Sequence, residues 1–110
     1  MKQYTTPEQT AKLIELGFEK PNMAAPKLKW VDGEPTFEPQ YTIGELLSFL
    51  PRVISNKKFD YATINIFHDT INWVVGYVDR GDIMRFITSD IELIDALCTM
   101  CRKLKAEGVI

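Results

Sequence analysis

Tyr61-Ala62-Thr63-Ile64-Asn65-Ile66-Phe67-His68-Asp69-Thr70-Ile71-Asn72-Trp73-Val74-Val75-Gly76-Tyr77-Val78-Asp79-Arg80-Gly81-Asp82-Ile83-Met84-Arg85-Phe86-Ile87-Thr88 carries a period of two. Tyr61 to Phe67 is rich in β-branched and aromatic residues, the side chains that suit a pleated, half-buried surface. His68-Asp69-Thr70 reads as a tight connection. Ile71, Trp73, Val75 and Tyr77 then alternate with Asn72, Val74, Gly76 and Val78. Asp79-Arg80-Gly81-Asp82 is a second turn, with Gly81 the natural occupant of a positive φ, and Ile83 to Thr88 is a third strand. Links this short cannot accommodate a crossover helix, so the three strands form an antiparallel meander.

Outward from the meander the period lengthens to 3.6. Ser89-Asp90-Ile91-Glu92 reads as a capping box opening a long helix, with an apolar stripe of Leu93, Ile94, Leu97, Met100, Cys101 and Leu104 and a stop at Gly108. Arg102, Lys103 and Lys105 lie near its end, where cations complement the helix dipole. Thr42-Ile43-Gly44-Glu45 is a second capping box, with Tyr41 placed to staple onto Leu46 or Leu47. Pro51 disfavours helix at Leu50 and keeps that element short. Thr6-Pro7-Glu8-Gln9 is a third, followed by Ala11, Leu13, Ile14 and Leu16 and closed by Gly17 and Phe18.

Lys27 to Val31 and Thr36-Phe37, joined through Asp32-Gly33-Glu34-Pro35, suggest a further hairpin. Pro35 and Pro39 push its second strand to a sheet edge or out of the sheet. Residues 19–40 hold four of the six prolines and are expected to be loop-rich. The fold class that follows is α+β: an antiparallel sheet of three to five strands, two main helices on one face and a third short helix. With 110 residues, 45% of them hydrophobic, residues 1–110 are expected to form one domain with one core.

A net charge of -2 supplies no global field for gathering phosphates. The apolar run Trp73 to Val78 is far short of the roughly 20 residues that span a bilayer. The first residues lack the apolar segment of a secretory signal, and two cysteines are too few for a disulfide scaffold. A cytoplasmic, membrane-free setting is expected.

Reactive residues are sparse. Cys98-x-x-Cys101 falls inside the long helix, without the free N–H groups that stabilise a thiolate. With the single His it supplies three metal ligands where structural zinc takes four. Core packing accounts for the pair. His68-Asp69 sits where a hairpin turns, and no Ser or Cys is presented on a sharp turn to complete a triad. Arg80-Gly81-Asp82 matches an adhesion tripeptide but also ordinary turn chemistry. No calcium loop or Gly-rich phosphate cradle is present, so no catalytic residue, metal or cofactor is expected.

Two surfaces are candidates. Trp30, Phe37 and Tyr41, in or beside the proline-rich segment, either complete the core or form an aromatic interaction surface. Arg52, Lys57 and Lys58, beside Phe59 and Tyr61, could bind single-stranded nucleic acid by phosphate contact and stacking, against the acidic net charge.

The segments Thr6 to Phe18, Tyr41 to Leu47 and Leu93 to Leu97 together resemble small uncharacterised proteins of gut Bacteroidetes, often encoded among phage or mobile-element genes. The likeness spans most of the chain and rests on helix starts and core stripes, so it carries no active site across. It implies a prophage or mobile-element setting. The expected function is a non-enzymatic accessory or protein-interaction module with a protein partner or homodimer contact. A nucleic-acid-associated protein is the alternative.

Overall fold

The computed structural model describes residues 1–21, 27–38, 40–56 and 60–110, with residues 27–31, 35–38 and 56 described by their backbone. The elements run α1 (Pro7–Glu15), β1 (Lys27–Val31), β2 (Glu34–Glu38), α2 (Ile43–Phe49), β3 (Val53–Asn56), β4 (Asp60–His68), β5 (Trp73–Asp79), β6 (Met84–Asp90) and α3 (Leu93–Ala106). Strands β3 to β6 form one antiparallel sheet in sequential order. The α+β class with three helices holds, and β3 brings the sheet to four strands.

β1 and β2 form a separate two-stranded sheet. Asp32 and Gly33 both take positive φ, 52° and 78°, which gives the turn twist that a two-residue hairpin needs. Pro35 pairs with Trp30, one step beyond the turn-closing pair Val31 and Glu34. In that register the position needs no N–H toward its partner, so proline is tolerated.

The helix ends follow local chemistry. In α1 the Thr6 hydroxyl accepts from the Gln9 N–H at 3.1 Å, while the Gln9 side chain accepts from the Thr6 N–H at 2.9 Å. Thr42 and Glu45 make the same exchange at α2. At the C-termini, Phe18 N–H donates to Leu13 C=O and Val109 N–H to Leu104 C=O, with Gly17 at φ 100° and Gly108 at φ 73° making both reversals.

The start of α3 departs from expectation. Ser89 and Asp90 belong to β6, paired with Val74 and Trp73, and the N-cap is Glu92, which makes no side-chain cap. Strand pairing outcompetes the local box. The Asp90 carboxylate instead accepts from the Glu92 N–H at 3.3 Å, and the Glu92 carboxylate accepts from the Lys2 N–H at 2.9 Å. The β5–β6 turn also differs: Asp82, not Gly81, takes the left-handed conformation, at φ 57°. Asp79 organises this turn, its carboxylate accepting from Gly81 N–H at 2.8 Å and Ile83 N–H at 3.1 Å.

α3 lies across β5 and β6, and α1 and α2 reach the core by packing against α3. The core joins Leu13, Tyr41, Leu46, Ile54, Ala62, Val75 and Tyr77 to Ile94, Leu97, Met100, Cys101 and Leu104, all of them buried. Thr88 is buried beneath α3, its hydroxyl donating to the Ala96 carbonyl at 3.0 Å. An N-terminal clip completes the layer: the Lys2 ammonium and the Gln9 amide both donate to Asp95 Oδ1, at 2.7 and 2.8 Å.

Candidate functional site

The chemically reactive side chains are committed to structure. Cys98 and Cys101 are buried, and Cys101 Sγ lies 3.7 Å from the Leu46 carbonyl. Burial raises both thiol pKa values, that of Cys101 to about 12, so neither is a thiolate at neutral pH. His68 is exposed, its ring set edge-on to Trp73 at 4.9 Å. The neighbouring Asp69 carboxylate accepts from the N–H groups of Ile71 and Asn72 at 2.7 and 2.6 Å, which makes it a turn cap. Those backbone donors hold its pKa below the usual carboxylate value. Arg80 of the adhesion-like tripeptide is 3.7 Å from Asp60 and 4.9 Å from the centre of the Tyr61 ring. Among the described residues no group of His, Cys, Asp and Glu could hold a metal ion, and no helix is long and apolar enough to cross a membrane.

Of the sequence-derived surfaces, only Tyr41 and Arg52 lie with their side chains among the described residues. Tyr41 is fully buried, its hydroxyl donating to the Glu19 carbonyl and its ring edge-on to Phe49 at 5.5 Å, so it is a core residue and not part of an exposed patch. Its position before the α2 capping box, with Leu46 one turn on, draws it inward. The backbones of Trp30 and Phe37 lie in β1 and β2, opposite Pro35 and Leu28, and their side chains lie outside the described residues. Arg52 is exposed just before β3, its carbonyl accepting from Ile64 N–H at 3.0 Å. Lys57 and Lys58 lie outside the described residues.

A different surface emerges from the register of the sheet. Residues directly opposite each other share a face. The pairs Ala62 with Asp79, Ile64 with Tyr77 and Ile66 with Val75 point toward the helices. The intervening pairs, Val53 with Thr63, Thr63 with Val78, Asn65 with Gly76, Phe67 with Val74 and Val78 with Met84, point the other way. Among the described residues all three helices lie on the first side.

Among the described strand residues this helix-free face is apolar at its centre and uncharged, with the Arg80 guanidinium over the Tyr61 ring at its edge. Val53 is 50% exposed, Tyr61 38%, Phe67 44% and Ile87 50%. Between them Val74 is buried although it stands outside the helix-side core. Gly76 leaves room for Met84: a Cβ there would meet the Met84 methyl at 2.3 Å. The remaining strand positions are Ser55, Thr63, Asn65, Val78 and Ser89, so among the described strand residues no Lys, Arg, Asp or Glu stands on the face. The Arg80–Asp60 pair marks its rim.

The signal for this face was present in the sequence. Trp73 to Val78 is apolar on both parities, the pattern of a strand with something to bury on either side. Alternation alone, read as one wet face, concealed it. No family model, curated protein or solved structure matches the chain.

Proposed function

We propose that this chain is a non-enzymatic protein-interaction module that associates with a second copy of itself through the helix-free face of its sheet. The observation that carries this is the uncharged, apolar character of that face in a chain where a quarter of the residues are charged. Interface centres are depleted of charge and enriched in aromatic residues and Met, as here with Tyr61, Phe67 and Met84. An uncharged face also meets its own copy without like-charge repulsion, which a twofold contact otherwise imposes at every charged position near the axis. Four strands at about 4.8 Å spacing and about 23 Å of strand length give a face of roughly 450 Å². That is below the ~800 Å² per partner of a standard stable interface, so the association is of the weak, concentration-dependent class. A mobile-element setting is the context that the sequence resemblance adds.

Sedimentation equilibrium over a wide concentration range tests this. The wild type is expected to approach twice the monomer mass at the upper end, near about 1 mM. Phe67→Lys and Ile87→Lys, which place like charges against each other across the contact, are expected to stay monomeric with little change in melting temperature. A wild type that remains monomeric, or variants that associate equally well, would overturn the proposal. Tyr61 and Phe67 could instead stack bases, the nucleic-acid alternative. An oligonucleotide whose binding falls steeply with salt and is lost in Phe67→Lys would assign the face to nucleic acid.

A further inference from the structure

On the opposite side of the molecule, α1 and α3 enclose an open groove of about 450 Å³ lined by Lys12, Leu16, Thr99, Arg102, Lys103 and Ala106. The spacing explains it. Lys12 lies in α1 and Leu16, four residues on, is its C-cap, while Thr99, Arg102, Lys103 and Ala106 stand at i, i+3, i+4 and i+7 on the outer side of α3. The inner stripe of α3, Leu97, Met100, Cys101 and Leu104, is spent on the core. Leu16 and Ala106 supply apolar floor, and the alkyl stems of the three cations extend it.

Among the described residues, none of Lys12, Arg102 and Lys103 has a carboxylate within 4.0 Å, although Glu8 and Glu15 flank Lys12 on α1 and Glu107 follows Ala106. The Lys103 ammonium donates to the Ile87 carbonyl at 3.3 Å on the surface. Three cations around an apolar floor are thus gathered in a chain of net charge -2.

The geometry points to this groove as the docking site for an acidic amphipathic segment of a partner protein. Apolar residues one turn apart on that segment sit on Leu16 and Ala106, and its carboxylates meet Lys12, Arg102 and Lys103. The apolar floor favours such a segment over a bare phosphate. The groove lies on the helix layer, so a second copy on the sheet face leaves it open, and the two sites stand independently.

The test uses the full chain and a fluorescent synthetic peptide of about 12 residues, Leu at i and i+4 with Glu between, and a Lys-for-Glu control. Fluorescence anisotropy is expected to show binding of the Glu peptide, weakened by salt, with none for the control. Lys12→Glu with Arg102→Glu is expected to reduce affinity by about tenfold or more, since rim charges act together with the floor. Both positions are exposed, and an unchanged circular dichroism spectrum confirms the fold. As a second readout, amide shift changes on titration are expected at α1 and α3. Phe67→Lys retains peptide binding if the groove acts alone. No binding, equal binding by the charge-reversed variant, or stronger binding to inorganic phosphate or to phosphatidylserine vesicles would overturn the assignment.

Discussion

Asp79 shows how much one side chain can fix. It ends β5 with its side chain nearly buried, and its two carboxylate oxygens hold the following turn and the Arg85 guanidinium, whose Nε donates at 2.8 Å. The Arg85 hydrogen bond, then the Ile83 and Gly81 amides, keep its pKa below the usual value. The unfolded chain, with an Asp pKa of about 3.9, therefore takes up the proton first as the pH falls. The stabilisation is complete above that value and is lost as the pH drops through the lower folded one. Asp69, held down by its backbone donors, adds to the same slope. Asp79→Asn is expected to be less stable at pH 7 and to lose less stability than the wild type between pH 5 and 2, read as urea midpoints at each pH. Parallel curves for the two proteins would show that Asp79 is not the group responsible.

Elements were legible in the sequence where a few adjacent residues decide them. The boxes at Thr6 and Thr42 form because donor and acceptor lie within one turn, and nothing distant competes. Thr6→Ala is accordingly expected to cost about 1 kcal/mol, measured by chemical denaturation. A change within experimental error would mean that the Pro7 start alone holds α1. The same motif at Ser89 failed because Ser89 and Asp90 pair with β5, a contact that local reading does not contain. β3 is not legible locally for a related reason. Four residues between Pro51-Arg52 and the lysines show no alternation long enough to read, and only pairing with β4 makes them a strand. Tyr41 was legible as a staple residue but not as core, since its burial depends on Thr5, Glu19 and Phe49 from three other segments.

Beside the separate β1–β2 hairpin, the four-stranded sheet and the helices packed on it carry different chemistry on their two outer sides. The extents of the whole molecule are 56 × 32 × 19 Å. Helices fill one side of the sheet and carry the Lys12, Arg102 and Lys103 groove. The other side shows uncharged Val53, Tyr61, Phe67 and Ile87 to solvent. The sequence supplied the meander and the long helix but not this division, because which parity of β4 and β5 faces α3 is settled by register. Self-association through the uncovered parity is the central claim, and isotope-filtered nuclear Overhauser spectroscopy on a mixed labelled and unlabelled sample tests it most directly. Intermolecular contacts are expected between the methyl groups of Val53 and Ile87 and the ring protons of Phe67 and Tyr61 of the other copy. Intermolecular contacts confined to the helix layer, or none at concentrations where the wild type sediments as a dimer, would contradict it.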